Sequence, residues 1–478
     1  MTTSPPAQTT LEDVAPAVEA AGQGHLLAFV GELDDSAKAA FARQLAAVDW
    51  DSLPGVIERY RQAGAAESFG SMEPPVVCCV DGTSGDRAID GDAARAAGLE
   101  MIRAGKVAAL TVAGGQGTRL GFEGPKGTLP IGPASGRTLF EVFADQIRAA
   151  DEWAGLPIPW LIMTSPQNHG QTLAFFEARD WLGLDRSQLR FFEQGVMPSF
   201  CPKTGRLLLA SKGTLATNPD GHGGVVRALS RSGELDRLER EGVEHLSYFQ
   251  VDNPLVTPVD PLFLGAHAGA GGAPSSGEFS SKMVAKADAS EKVGVFAVCD
   301  GRTRVVEYSD LPEELAGATD HSGNLRFEAG SVAIHAASVA FLRAVDDAGE
   351  SALPFHRAFK KVPHVDAGTG SFVEPSQPNA VKLERFVFDA IPVARESMVM
   401  RVERAHEFAP TKNPTGVDSV ESARHLQSAR AKAWLRARGH DVPAGCTLEL
   451  SGAAAWAEAA GLDYVPNATP EPGRAAVL

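Results

Sequence analysis

The amino-acid sequence predicts an α/β fold, in which a mixed sheet carries helices on both faces. Short apolar runs alternate with helical patterns along the middle of the chain, which is typical of this class. The run KVAALTVA at 106–113 leads directly into glycines, as a buried parallel strand does where it ends in a loop. The segment TLFE at 138–141 has the residues of a capping box, so a helix is expected to begin at Thr138.

The other elements follow from the same periodicities. Residues 11–104 have helical spacing of apolar side chains, and Gly105 stands where a helix would end. Shorter spacing late in the chain predicts some antiparallel strands. A helix at 419–439, a strand at 446–450 and a short helix are expected near the end. Further strands are predicted at 159–164, 189–192, 245–252, 282–287, 293–299, 303–309 and 332–336.

The length of 478 residues indicates two or three domains. We expect a mostly helical N-terminal region over 1–100, a catalytic α/β domain over 101–400 and a small C-terminal α+β domain over 401–478. The formal net charge is −16, from 44 Lys and Arg against 60 Asp and Glu. This argues against a nucleic-acid partner. A polyphosphate ligand would therefore need a local cluster of cations and backbone N–H groups.

The composition predicts a cytoplasmic protein without a membrane partner. No apolar run approaches the length of a membrane-spanning helix, and the first residues lack a basic and apolar leader. The five cysteines, at 78, 79, 201, 299 and 446, show neither a CxxC pair nor metal-ligand spacing. We therefore expect reduced thiols rather than disulfides or a zinc site.

The segment AGGQGTRLGFEGPKGTLPI at 113–131 carries the clearest chemistry. Glycines let backbone N–H groups approach phosphate oxygens, a threonine adds a hydroxyl donor, and two cations add positive charge. The segment has neither the GxxxxGK[ST] spacing nor the third glycine of GxGxxG. It therefore predicts a nucleotide site that is neither a P-loop nor a dehydrogenase loop, with candidate ligands at Gly114, Gly115, Gly117, Thr118, Arg119 and Lys126.

The pattern GGxGTRL followed by PKG resembles the signature of sugar-nucleotide pyrophosphorylases. Further segments occur in the order of the eukaryotic-type UDP-sugar pyrophosphorylases, and residues 100–430 most resemble the UDP-N-acetylglucosamine enzymes. The resemblance implies a Rossmann-like sheet of the nucleotide-diphospho-sugar transferase type. It rests on FFEQGVMPSF (191–200), NPDGHGGVVRAL (218–229), YFQVDNPLV (248–256), EKVGV (291–295), VVEYS (305–309), LERFVFD (383–389) and EFAPTKN (407–413).

The resemblance also assigns roles at the nucleotide. Asp252 ends a predicted strand, where a carboxylate points into the usual ligand crevice of an α/β sheet. In the resemblance it corresponds to the acidic ligand of Mg²⁺. Lys412 corresponds to a lysine that reaches the phosphates. Gln194 and Gly221 correspond to residues at the uracil edge, where an amide can pair with an imide.

For the sugar, the resemblance implies a pocket walled by Phe386 and Phe388, which are expected on one face of a strand. Gly294 and Glu307 would line that pocket. Two positions depart from the N-acetylglucosamine enzymes: His222 replaces Asn in DGNGG, and Ser331 replaces Asn after the glycine of AGN. His222 also resembles the GHG of UDP-glucose enzymes, so both sugars stay open.

Together these features predict a uridylyltransferase. It would join UTP and a sugar 1-phosphate, with Mg²⁺, to give a UDP-sugar and pyrophosphate. N-acetylglucosamine 1-phosphate is the first choice of sugar, with glucose 1-phosphate or a broader range as the alternative. A non-catalytic sugar-nucleotide sensor is disfavoured by the loop cations and Asp252, and an NAD(P)-dependent dehydrogenase by the loop spacing. The sequence does not predict an oligomeric state.

Overall fold

The computed structural model describes residues 9–62, 70–80, 82, 86–466 and 468–478. Its α-helices, in chain order, are α1 Leu11–Ala20, α2 Asp35–Ala46, α3 Leu53–Tyr60, α4 Gly91–Arg103, α5 Leu139–Ala154, α6 His169–Glu177, α7 Gly224–Arg231, α8 Glu234–Arg240, α9 Pro261–His267, α10 Glu313–Ala316, α11 Val339–Ala348, α12 Arg404–Glu407, α13 Val420–Ala437 and α14 Gly452–Ala460.

The strands of the same residues are β1 Met72–Glu73, β2 Val77–Cys79, β3 Arg87–Ala88, β4 Val107–Val112, β5 Trp160–Thr164, β6 Leu189–Glu193, β7 Val196–Pro198, β8 Leu209–Ser211, β9 Thr214–Leu215, β10 Thr217–Pro219, β11 His245–Gln250, β12 Phe279–Ala285, β13 Val295–Cys299, β14 Arg302–Val306, β15 Ala329–Ser338, β16 His356–Lys360, β17 His364–Val365, β18 Phe372–Val373, β19 Ala380–Glu384, β20 Val399–Arg401, β21 Thr447–Glu449 and β22 Ala475–Val477.

The described chain forms two compact units, each assembled from separated stretches. The larger unit contains residues 70–194, 225–353 and 387–478, and the smaller contains residues 9–62, 195–224 and 354–386. The sequence-based division near residues 100 and 400 stays a prediction. The compact units follow a different partition, since neither is a continuous segment.

The larger unit is built on a mixed sheet of twelve described strands. Nine of them follow the path β3-β2-β20-β12-β15-β11-β4-β5-β6, and the other three, β1, β13 and β14, lie off this path. Strands β11, β4, β5 and β6 are mutually parallel, whereas β15 runs antiparallel to both β11 and β12. The chain passes from β4 through α5 to β5 on one side, while β11 lies on the other side of β4. In an open α/β sheet this change of direction leaves a crevice at the carboxyl ends of β4 and β11.

The elements around this crevice follow the sequence closely. Val107, Ala108, Ala109 and Leu110 of β4 are all buried, as expected for a strand covered on both faces. Thr138 caps α5 and Glu141 reaches back to its backbone, so the predicted capping box is confirmed. The core beside α5 is rich in aromatic rings, which meet mostly edge to face, among them Phe140, Phe143, Trp160, Phe176 and Phe249.

The expected α/β fold is confirmed, and so are the antiparallel strands late in the chain, since β13 pairs antiparallel with β14 and β15. Residues 72–88 depart from the helical spacing expected over 11–104. There β2 and β3 extend the main sheet beside β20, and β1 pairs with β13. These strands are only two or three residues long, too short to show a period in the sequence.

The smaller unit has a core of its own. Helices α1, α2 and α3 supply Val18, Phe41 and Ile57, which pack with Phe200 and Val381 from the other two stretches of the unit. Its strands form three small sheets, with the paths β10-β7, β16-β19 and β18-β17-β8-β9.

The last elements of the larger unit pack on α5 and on the loop before it. Glu449 of β21 accepts hydrogen bonds from the backbone N–H of Ala134 and from both N–H and hydroxyl of Ser135. Gln427 of α13 donates to the carbonyl of Ile131. Helix α13, β21 and α14 stand close to where the sequence predicts them. Among the described helices, none combines the length and the apolarity needed to cross a bilayer.

Candidate active site

The glycine-rich loop, residues 114–121, begins directly after β4 and folds back on the segment that follows it. The N–H of Gly117 donates to the carbonyl of Gly124, and the N–H of Lys126 donates to the carbonyl of Gly115. A short 3₁₀ turn at Thr118–Leu120 ends at Gly121 in the left-handed conformation. These contacts hold the loop and the PKG segment against each other at the carboxyl end of β4.

Successive amides of this loop are available to a ligand. In the described part of the chain, the N–H groups of Gly114, Gly115 and Gln116 have neither a backbone nor a side-chain acceptor. Gly115 and Thr118 are exposed. Consecutive unpaired N–H groups of this kind make an anion-binding surface. The structure therefore gives the loop the donors that a polyphosphate needs.

The predicted cations differ in how they are held. The ammonium nitrogen of Lys126 lies 3.7 Å from a carboxylate oxygen of Asp252 and donates to the carbonyl of Thr411 at 3.1 Å. Arg119 is exposed, without an ion pair or hydrogen bond to the described residues. Lys412 is also exposed, and its ammonium lies 5.8 Å from the centre of the Phe408 ring. Lys126, Asp252 and the start of the Lys412 loop therefore meet at one place.

Asp252 stands just after β11, with its side chain 11% exposed, and its backbone is fixed by the C-terminal part of the larger unit. The carbonyl of Asp252 accepts hydrogen bonds from both the N–H and the hydroxyl of Thr411. The neighbouring Asn253 donates to the carbonyl of Glu407 and accepts from the N–H of Ala409. Residues 407–412 are thus attached to the carboxyl end of β11.

Gln194 lies against the start of the glycine-rich loop. A Cβ built on Gly114 would stand 2.7 Å from Oε1 of Gln194, so only glycine permits this approach. The Gln194 side chain is buried. The same built Cβ would lie 3.5 Å from the Cβ of Ser165, whose buried hydroxyl has no hydrogen-bond partner among the described residues. Gln194 and Gly114 are therefore neighbours, as a shared nucleotide site requires.

Three residues predicted for the sugar are brought together in the larger unit. The N–H of Ser331 donates to the carbonyl of Gly294 at 2.8 Å. A Cβ built on Gly294 would lie 3.4 Å from Oε1 of Glu307, which follows directly after β14. The strand predicted at 303–309 thus ends earlier, and Glu307 leaves the ladder at its end.

The expectation that Phe386 and Phe388 share one face of a strand is wrong. Strand β19 ends at Glu384, and residues Val387–Val393 form a 3₁₀ helix. Phe388 is buried in the larger unit, whereas Phe386 belongs to the smaller unit. The alternation of RFVFD fits a strand equally well by sequence, so the 3₁₀ turn is set by the surrounding structure.

In the smaller unit, Gly221 and His222 pack on the segment that contains Phe386. Gly221 has φ +85°, and a Cβ built there would lie 2.3 Å from the carbonyl of Arg385. The ring of His222 stacks on Phe386 with centroids 5.3 Å apart, and His356 stacks on Phe386 at 4.3 Å. Burial, together with the charge of His356, lowers the pKa of His222 to about 4. His222 is therefore a neutral ring at pH 7.

Sequence reasoning missed the residues that hold this site in place. Thr411 acts through its backbone and hydroxyl, and Asn253 binds two backbone groups of a distant segment. Ser165 and Asn168, just after β5, pack against the glycine-rich loop. Only the position of Ser165 and Asn168 after a predicted strand offers a signal, and such polar residues usually form turns.

An open α/β sheet with a glycine-rich loop after one strand and a carboxylate after its neighbour defines a nucleotide-binding enzyme of the nucleotidyltransferase class. Residues 90–437 match the family described as UTP–glucose-1-phosphate uridylyltransferase, and the chain belongs to that family.

Similar proteins agree with this assignment. The chain is 36% identical to the UDP-N-acetylglucosamine pyrophosphorylase of Saccharomyces cerevisiae, over 75% of this chain and 76% of that protein. It is also 36% identical to the human UDP-N-acetylhexosamine pyrophosphorylase-like protein 1, over 88% and 85% of the two chains. The crystal structure of the Trypanosoma brucei uridine diphosphate N-acetylglucosamine pyrophosphorylase superposes with a TM-score of 0.77 at 26% identity, covering 92% and 91%.

Proposed function

We propose that this protein transfers the uridylyl group of UTP to a sugar 1-phosphate, preferably N-acetylglucosamine 1-phosphate, and releases pyrophosphate. The row of unpaired amides at Gly114–Gln116 beside Lys126 and Asp252 carries the proposal. It supplies the local donors and the cation that a triphosphate needs on a chain with a net charge of −16. The named relatives support the choice of nucleotide and sugar.

The reaction is an in-line exchange at the α-phosphorus of UTP. An oxygen of the sugar phosphate forms a new bond to that phosphorus, and the bond to the oxygen of the β-phosphate breaks. The attacking oxygen is already ionised at pH 7, so the site needs no general base. The residues of the chain therefore position the two phosphates and neutralise charge.

The three cations near the glycine-rich loop differ in how firmly the protein holds them. Lys126 is held beside Asp252 and the carbonyl of Thr411, so it is fixed where the chain of phosphates would pass. Arg119 and Lys412 are exposed and free to close on a bound ligand. Together with the loop amides and Thr118, they would hold the pyrophosphate portion during its departure.

The donor set around Asp252 suits Mg²⁺, which we propose as the cofactor. Mg²⁺ keeps several water ligands and is usually held by one or two carboxylates plus substrate phosphates. Over the residues described, no group of three or more acidic, His or Cys side chains is arranged as a closed metal site. When bound at Asp252, the ion would supply charge neutralisation at the phosphates.

We also propose that the protein works in the cytoplasm. Of the five cysteines, Cys78, Cys79, Cys299 and Cys446 are buried. Burial raises the pKa of Cys78 to about 11, so its thiol stays protonated and unreactive. This state suits a reducing compartment.

Glucose 1-phosphate is the second candidate sugar, because the matching family carries that substrate in its description and because the DGHGG segment contains His222. The test is a pyrophosphate-release assay with UTP and Mg²⁺. It would compare the 1-phosphates of N-acetylglucosamine, N-acetylgalactosamine, glucose and galactose. Turnover highest with N-acetylglucosamine 1-phosphate is expected. Higher turnover with glucose would replace the first choice of sugar, and no pyrophosphate release from any pair would refute the enzyme assignment.

A further inference from the structure

Asn168 lies just before α6 and its side chain contacts the backbone of the glycine-rich loop. It is fully buried. Its amide nitrogen donates to the carbonyl of Ala113 at 2.9 Å and to the carbonyl of Gly115 at 3.3 Å. Its amide oxygen accepts from the N–H of Ser165 at 2.8 Å. One side chain therefore binds the carbonyls on both sides of Gly114.

The orientation of this amide is fixed by its partners. Turning the group over would place its oxygen against two carbonyl oxygens and its nitrogen against an N–H group, which would lose all three hydrogen bonds. The side chain also makes no capping hydrogen bond to α6. The side-chain hydrogen bonds of Asn168 therefore go to Ser165 and to the segment that follows β4.

The hydrogen bonds of Asn168 to two carbonyls also fix the directions of the N–H groups in the same peptide bonds. The described chain has no cis peptide bond, and in a planar trans peptide the C=O of one residue and the N–H of the next point in opposite directions. Holding the carbonyl of Ala113 directs the N–H of Gly114 away from Asn168. Holding the carbonyl of Gly115 directs the N–H of Gln116 away in the same manner.

We propose that Asn168 is a positioning residue for UTP, which fixes the directions in which the amides of Gly114 and Gln116 point. The same contact extends to the catalytic cation, because the carbonyl of Gly115 also accepts from the N–H of Lys126. Glycines rotate freely about their backbone bonds, so without Asn168 these peptides would sample other orientations. The inference rests on the proposed function only for the identity of the ligand.

The test uses N168D and N168L in the full chain. N168D keeps the size of the side chain and the acceptor for Ser165, but it replaces the donor by an oxygen. Asn379 supplies the matched control, because it also binds backbone at both ends of its amide, here the N–H and C=O of Val362 in the smaller unit. N379D therefore reports the general effect of changing such an asparagine.

Hydrogen exchange of the ligand-free protein tests the contact itself. Peptides that cover residues 113–127 should exchange faster in N168D than in the native chain, because the carbonyl of Gly115, which accepts from the N–H of Lys126, is then no longer held by Asn168. N379D should leave the exchange of these peptides unchanged. Unchanged exchange of these peptides in N168D would overturn the inference, whether or not the chain turns over UTP. Loss of cooperative unfolding in N168D would also overturn it, because Asn168 would then be a general structural residue.

Kinetics tests the consequence for the ligand. If the native protein releases pyrophosphate, N168D and N168L should raise the KM for UTP by about tenfold to a hundredfold. They should raise the KM for pyrophosphate in the reverse reaction by a similar factor. KM for the sugar 1-phosphate should stay within about threefold. Equal losses for all three substrates would contradict a positioning role at UTP. Absence of turnover in the native protein would instead refute the proposed function, and the exchange experiment would still decide the role of Asn168.

Discussion

Lys126 and Asp252 come from loops that follow neighbouring parallel strands, and their charged atoms lie 3.7 Å apart. Both side chains are largely buried: that of Asp252 is 11% exposed and that of Lys126 is 18% exposed. Charges in such a partly enclosed place are screened less than charges on an open surface. A single cation here therefore has a large effect on a phosphate ligand, even though the whole chain is acidic.

Removing this cation should impair catalysis more than stability. We expect Lys126→Met and Arg119→Ala to lower kcat by on the order of a hundredfold, the usual scale for losing a charge partner of a transition state. Lys106→Met is the matched control, since the side chain of Lys106 forms an exposed ion pair with Glu244. This variant should keep native turnover. Steady-state pyrophosphate release measures all three, and native rates in both site variants would refute the proposed mechanism.

His222 is the residue at which we expect the sugar preference to change. Its neutral ring stacks on Phe386, and His222→Asn introduces the asparagine that the resemblance to the N-acetylglucosamine enzymes predicts at this position. The variant should raise the ratio of kcat/KM for N-acetylglucosamine 1-phosphate over glucose 1-phosphate by about tenfold, the scale of one specific contact. The exposed His440 provides His440→Asn as control. An unchanged ratio would show that sugar choice lies elsewhere.

The sequence predicts the residues of this site that carry their own chemistry. Gly114, Lys126 and Asp252 stand in motifs or after predicted strands, and the structure places Lys126 beside Asp252 at the crevice of the sheet. Asn168 and Thr411 act by binding backbone groups of distant segments. A contact of that kind depends on three-dimensional neighbours and leaves no pattern in a single sequence.

At the scale of elements, β12, α9 and α12 are joined by one buried lysine. The ammonium of Lys282 lies 2.6 Å from Asp260, which caps α9, and 2.7 Å from Glu407 of α12. Burial acts to lower the pKa of Lys282, but the two carboxylates outweigh it and hold the pKa above its ordinary value. Glu407 also accepts from Asn253 through its carbonyl, so this network connects to the backbone next to Asp252.

Breaking the network should destabilise the larger unit strongly. Lys282→Met leaves the buried carboxylate of Asp260 and the partly buried carboxylate of Glu407 without their cation. Such a loss costs about 3–5 kcal/mol of unfolding free energy. Arg343→Met removes a comparable pair of contacts, to Asp236 and Glu239, from a more exposed place and should cost about 1 kcal/mol or less. Urea unfolding measures both, and equal losses would contradict a special role for Lys282.

Helices and strands whose sequence shows a clear hydrophobic period or a capping box are predicted correctly. Elements that depend on tertiary contacts are not. Strand β4 and the capping box of α5 stand where the sequence predicts them. The 3₁₀ helix at Val387–Val393 was missed, because RFVFD alternates like a strand although its backbone turns away after Glu384. The same holds for β2 and β3, which are ordered by pairing within the main sheet.

At the scale of the whole molecule, buried histidines make stability depend on pH. Burial, with a contribution from His245, lowers the pKa of His267 to about 3, and the pKa of His222 is about 4. Both lie below the ordinary value of 6.5. The unfolded chain therefore takes up protons as pH falls below about 6.5, whereas the folded chain does not until about 4. The contribution of these histidines to the free energy of unfolding is therefore fully present above pH 6.5, and it is lost as the pH falls below that value.

We expect the urea midpoint to fall between pH 7 and pH 5, with His267 alone contributing about 2 kcal/mol of that loss. His267→Asn should reduce the difference between the two pH values, whereas His440→Asn should leave it as in the native chain. The same midpoint at both pH values in the native protein would show that the folded state accepts these protons after all.

The assembly of each unit from separated stretches has no counterpart in the sequence patterns. Composition and spacing predict consecutive regions, since they report only on local neighbours. The position of β20 between β2 and β12 in the sheet illustrates the difference, because it joins residues about three hundred positions apart in the chain.

The place of β20 also sets an order of events during synthesis. The edge formed by β2 and β3 has no neighbour in the sheet until Val399–Arg401 have left the ribosome, since β20 is the strand that joins this edge to β12. At translation rates of about 5–20 residues per second, that wait lasts roughly 15 to 60 seconds. Over this interval the nascent chain presents unpaired strands, so its yield in a cell should depend on chaperones that cover such edges, even if the finished protein is stable.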